Sequence, residues 1–106
     1  MIRASMYWNR LRMEVNGHAN YDEKGKDIVC AGVSAMVGAL AGALKDAEAR
    51  GRTNMGYEEQ DGHVVIWADP NLGNMSEIKA YFRMCIKGIQ MTKDAYPGYI
   101  EVKEVI

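Results

Sequence analysis

The sequence predicts an α/β (α+β) two-layer sandwich, a small mixed or antiparallel sheet packed on two helices in the order β-β-α-β-β-α-β. Three observations carry that expectation. Leu11, Met13 and Val15 alternate with Arg12, Glu14 and Asn16, the period of a half-buried strand. Two longer runs, from Ile28 to about Arg50 and from Ser76 onward, have helical spacing. Asp61-Gly62 stands between two strand-like runs, a hairpin signal. At 106 residues the chain reads as one domain, 1–106, able to bury a core without staples.

Taken in order, Ile2–Tyr7 and Leu11–Val15 read as strands around a Trp8-Asn9-Arg10 turn. The second strand delivers the chain to Gly17-His18. Asn20–Lys26 is polar and reads as an exposed, mobile loop. Asp27 precedes the first helical residue, where a carboxylate accepts the orphan N–H groups of the first turn. The helix from Ile28 is apolar almost all round, which predicts burial on more than one face. Gly38 and Gly42, with Ala35 and Ala39, would admit another backbone or the crossing second helix. Gly51 ends it as a C-cap.

Thr53–Glu59 and His63–Ala68 read as the hairpin strands, and Asp69–Asn74 as a loop. Ser76 is the expected cap of the second helix, whose stripe is Ile78, Tyr81, Phe82, Cys85, Ile86 and Ile89. Pro97-Gly98 closes it and Tyr99–Ile106 returns as a last strand.

Composition narrows the function. Lys+Arg total 13 against 14 Asp+Glu, without clustering along the chain, which argues against nucleic acid or an anionic membrane as partner. The start, MIRASMYWNRLR, has no long apolar stretch of the signal-peptide kind. The run Ile28–Leu44 reads as too short for a membrane span. A reducing cytoplasm is therefore the expected compartment, and a Cys30–Cys85 disulfide is not expected. His18, Cys30, His63 and Cys85 show no short metal-ligand spacing, so neither metal nor cofactor is expected. Cys85 lies on an apolar stripe and reads as core. Trp8 and Trp67 read as core or rim, His63 as surface, and the methionines as core filling.

The chemistry gathers between Gly17 and Ser34. Cys30 falls in the first turn of a helix, where unpaired N–H groups and the dipole favour thiolate. His18 precedes it across the loop and can take the thiol proton. By spacing alone Cys30 has a core reading too. The conjunction of helix start, Asp27 and a glycine-flanked histidine points to a nucleophile. Asp27 is a cap, with an added role in orienting His18 as the alternative.

Gly17-His18-Ala19, a short loop with Tyr and Gly, then Gly25-Lys26-Asp27-Ile28-Val29-Cys30-Ala31 and Val33-Ser34-Ala35 resemble the ribosomal-processing cysteine protease (Prp) family. The resemblance extends more weakly through the Asp-Gly hairpin and the segment Tyr96 to Val102. It implies Cys30 as nucleophile, His18 as general base and Asp27 as the motif aspartate. It implies a small α/β homodimer that removes a short N-terminal extension from a large-subunit ribosomal protein. The loop NYDEKGK and a helix rich in Gly and Ala depart from the family pattern. Phage relatives make a capsid or scaffold substrate the alternative. In the expected mechanism Asn20, Tyr21, Asp22, Glu23, Lys24, Gly25 and Lys26 close over an extended substrate. Backbone N–H groups of Val29, Cys30 and Ala31 stabilise the oxyanion. Two other classes compete: a non-catalytic module that binds a ribosomal or virion protein, and an RNA-binding module, which the charge balance disfavours.

Overall fold

Period-two alternation at the start of the chain becomes an antiparallel pair, β1 (Ile2–Tyr7) with β2 (Arg12–Asn16). The computed structural model describes residues 1–106. After β2 come α1 (Ile28–Ala49), the hairpin of β3 (Thr53–Gln60) and β4 (His63–Pro70), α2 (Met75–Ala95) and β5 (Ile100–Val105). The sheet is open, five-stranded and ordered β3-β4-β2-β1-β5. β1 and β5 run parallel, with Ile2 opposite Ile100, and the other pairs are antiparallel. A parallel neighbour needs a long return, which α2 supplies between β4 and β5. The expected element order and mixed sheet are both present.

Alternation decides the layers. Ala4 opposite Val15, and Met6 opposite Met13 opposite Ile66, line one face. That face meets Val29, Val33 and Leu44 of α1 and Ile78, Phe82 and Ile89 of α2 in one buried cluster. Cys85 belongs to it, 1% exposed. Each large aliphatic or aromatic side chain buried there contributes about 1.5–3 kcal/mol of transfer free energy.

Several local expectations change. Leu11 has φ 44 and closes the turn, so β2 starts one residue later. Arg50 holds the C-cap position and Gly51, at φ 71, follows it. α1 is covered on one face only: Val29, Val33, Val37, Leu40 and Leu44 are buried, while Ala31, Ala35, Gly38, Ala39 and Gly42 face outward. The helices do not cross at Gly38 or Gly42, where an added Cβ would meet nothing within 4 Å. They meet at Gly32 against Thr92 and at Gly88 against Met36, where added Cβ atoms would lie 3.3 and 2.6 Å from those side chains. By length and composition α1 is apolar enough to cross a membrane, contrary to the shorter run read from sequence. Its buried face places it as a core helix.

Ser76 does not cap α2. A single 3-10 turn, Leu72–Asn74, feeds straight into Met75, and Asn74 takes the cap position without a side-chain bond. Nor do all methionines fill the core: Met84 and Met91 are 72% and 65% exposed on the outer face of α2.

Candidate active site

The end of β2 is pinned before it reaches the histidine. Gly17 donates its N–H to the Gly62 carbonyl at 2.8 Å, tying the strand end to the β3–β4 turn. Its φ is +90, and a Cβ there would stand 2.2 Å from the Met1 carbonyl oxygen. Only glycine fits both the conformation and the approach. His18 is thereby placed over the hairpin turn, its Nε2 3.6 Å from Asp61 Oδ1, with both side chains largely exposed.

Asp27 organises the other side. Its Oδ1 accepts the N–H groups of Val29 and Cys30 at 3.0 and 2.9 Å, the expected helix cap. Its Oδ2 accepts Tyr21 N–H at 3.0 Å and Asp22 N–H at 3.5 Å. One carboxylate thus starts the helix and holds the loop. Desolvation pushes its carboxyl up, but the Cys30, Tyr21 and Asp22 amides outweigh this and hold it below the usual value. Asp27 makes no bond to His18. The carboxylate beside the imidazole is Asp61, which the sequence reading left in a turn.

Cys30 sits in the first turn of α1, partly exposed. The buried Ala19 donates its N–H to Cys30 Sγ at 3.3 Å. The amides expected to serve the oxyanion are already engaged: Val29 and Cys30 with Asp27 Oδ1, and Ala31 with the Asp27 carbonyl at 3.0 Å. The capping carboxylate consumes the donors that a bare helix end would offer. Ala19 is the amide that faces the sulfur. A backbone donor has no side-chain signature, so sequence reasoning passes over it.

His18 and Cys30 line one groove of ≈ 450 Å³, and no hydrogen bond joins them. Catalytic hydrogen bonds commonly tighten only with substrate bound. The groove is floored by Val33, Val37 and Val64 and walled by Ser34 and Gly38 of α1 and by Tyr57 and Glu59 of β3. Tyr57 O–H donates to Glu59 Oε2 at 2.6 Å; that bond, with burial and the carboxylate charge, pushes the phenol up to about 12. His63 also lines the groove, its Nδ1 paired with Asn16 Oδ1.

The loop residues divide. Asn20, Asp22, Lys24 and Gly25 line a second depression that shares His18, Cys30, Ser34 and Asp61. Tyr21 instead packs edge-on against Tyr96 and Tyr99, ring centroids 5.3 and 5.2 Å away. Glu23 and Lys26 pair with each other at 3.5 Å. Cys85 stands apart from the site, its thiol pushed up to about 12 by burial.

Comparison with known proteins identifies the family and the fold. The family model described as cysteine protease Prp matches residues 1–101. The ribosomal processing cysteine protease Prp of Bacillus subtilis (strain 168) is 53% identical over 36 residues, which span 34% of this chain and 32% of that protein. A crystal structure of the ribosomal processing protease Prp from S. aureus, holding a covalently linked product peptide, superposes with a TM-score of 0.78 at 24% identity, covering 98% of this chain and 99% of that one. That likeness is one of fold. SMU.848 from Streptococcus mutans superposes with a TM-score of 0.70 at 26% identity, covering 99% and 94%.

Proposed function

The chain belongs to the cysteine protease Prp family, and we propose that it is an endopeptidase that removes a short N-terminal extension from a large-subunit ribosomal protein. The observation that carries this reading is the Cys30 thiol in the first turn of α1, facing the Ala19 amide and sharing a groove with His18. His18 takes the Cys30 proton and the thiolate attacks the scissile carbonyl carbon. The tetrahedral adduct collapses as His18 protonates the leaving amine. Water, deprotonated by His18, then attacks the acyl-enzyme and releases Cys30. Asp61 orients the imidazole, and Asp27 positions both the helix start and the loop. The open wall at Ser34 and Gly38 suits an extended segment rather than a folded surface.

Residues 1–106 act as one protease domain, a reading supported by a single sheet and one buried cluster. The exposed small-residue face of α1 supports a two-fold homodimer, and nothing in the chemistry calls for a metal or cofactor. A cytoplasmic location follows from the proposed substrate. The reaction is tested by incubating wild type and Cys30→Ala with the ribosomal-protein precursor and, separately, with phage capsid and scaffold proteins, reading intact mass. Cleavage of the ribosomal precursor by wild type alone supports the reading. Cleavage of phage proteins alone redirects it to a virion substrate. Cleavage that survives Cys30→Ala refutes the nucleophile, and binding with no cleavage turns it into a non-catalytic module.

A further inference from the structure

The groove beside Cys30 contains no lysine or arginine, and it carries two exposed carboxylates, Glu59 and Asp61. Lys24 is the one cation lining the depression on the other side of the thiol, where Asp22 and Asp27 also stand. Lys45 lies over the Tyr57 ring, 5.8 Å from its centroid, without lining either depression. Charge is not scarce in this chain, with 13 Lys+Arg in all, so the absence of lysine and arginine from the groove is a property of the site. The two carboxylates differ in what they already hold. Asp61 faces the His18 ring at 3.6 Å. Glu59 accepts the Tyr57 phenol through Oε2 alone, and its Oε1 has no hydrogen-bond partner in the protein. Val33, Val37 and Val64 line the same groove as Glu59 and Cys30 and give it an apolar floor.

We propose that the site selects a basic segment: an apolar side chain of the substrate rests on the valine floor and a neighbouring lysine or arginine pairs with Glu59. This rests on the protease reading above and adds to it the chemical class of the residues around the scissile bond. Pairing to an exposed carboxylate is weak for one contact, so the selection is graded and falls with added salt.

The test uses fluorogenic peptides taken from the N-terminal segment of the ribosomal-protein precursor, with one lysine walked through positions flanking the cleaved bond. At each position lysine is compared with norleucine and with glutamate. Wild type is expected to favour lysine over norleucine in kcat/KM by about two- to fivefold at one position, the range open to an exposed pair. Glu59→Gln is expected to erase that ratio, and Glu59→Lys to invert it toward the glutamate peptide. Circular dichroism confirms that these surface variants fold. A ratio of one at every position in wild type, or a lysine preference that survives Glu59→Lys, overturns the proposal. If wild type cuts none of the peptides, the ribosomal-substrate reading fails. The charge preference is then read from fluorescence anisotropy of the same peptides on Cys30→Ala, where equal affinity for lysine and glutamate peptides overturns it.

Discussion

Ala19 donates its backbone N–H to the sulfur of Cys30 across 3.3 Å. The residue is 3% exposed, so this donor is fixed by packing and shielded from water. Such a bond holds the sulfur in one direction, toward the loop that follows the strand. It also ties Cys30 to the segment that carries His18, because Ala19 directly follows His18.

Cys30 should therefore be alkylated by iodoacetamide at neutral pH far faster than Cys85. Cys85 is 1% exposed and its thiol is pushed up to about 12, so almost none is thiolate. Mass mapping after short exposure reads both rates. His18→Ala should slow Cys30 and leave Cys85 unchanged. Equal rates at the two cysteines, or no effect of His18→Ala, would remove the histidine–cysteine pair from the mechanism.

Gly17→Ala and Gly25→Ala separate strain from crowding. Both glycines have positive φ, +90 and +88, and each substitution pays about 1–3 kcal/mol for that conformation. Only at Gly17 does the new Cβ also meet backbone, 2.2 Å from the Met1 carbonyl oxygen. Urea unfolding should show the larger loss for Gly17→Ala, and Cys30 alkylation should slow in that variant alone. Equal destabilisation by the two would mean that the close approach at Met1 relaxes freely.

Much of this arrangement is legible from residues whose signal is local. Asp27 as a cap, Asp61-Gly62 as a hairpin turn and the stripe through Phe82 and Ile89 all follow from short-range rules. The sheet order is not legible that way, because β5 joins β1 through a parallel pairing that depends on the whole chain. Ser76 misled for a related reason: Asn71 donates its backbone N–H to the Arg52 carbonyl, and a 3-10 turn follows directly, so the helix begins before the serine. The apolar run of α1 overstated burial, since Ala and Gly score as apolar while presenting little surface to cover. At the site, the Ala19 amide and the approach of Asp61 to His18 exist only once the strands are paired.

Tyr21 should act as the fastener of the loop. Its ring meets Tyr96 and Tyr99 edge-on, contacts worth about 0.5–1.5 kcal/mol each when well packed and less for a ring that is 40% exposed. Tyr21→Ala should expose Lys24 and Lys26 to limited trypsin digestion several times faster than in wild type. Tyr21→Phe keeps the ring and should digest at the wild-type rate. If Phe behaves like Ala, the hydroxyl rather than the ring pairs holds the loop.

Asp27 makes two separable contributions, and pH distinguishes them. Its carboxyl titrates below the usual value in the folded protein because the amides of Cys30, Tyr21 and Asp22 outweigh the cost of desolvation. The unfolded value is near ~3.9. Stability from these bonds is therefore fully present above that pH and is lost as pH falls through the depressed folded pKa. Asp27→Asn removes the titration. Asparagine is itself a good N-cap, and its oxygen can keep the Val29 and Cys30 bonds. Its amide group would then face the Tyr21 N–H with a donor against a donor, so the clamp on the loop is lost while the helix start survives. Thermal melts should show wild type losing stability below about pH 4 more steeply than Asp27→Asn. At neutral pH, hydrogen exchange at the Tyr21 and Asp22 amides should quicken in the variant while that at Cys30 holds. Faster exchange at Cys30 as well would mean that the cap and the clamp fail together and that Asp27 has a single structural role.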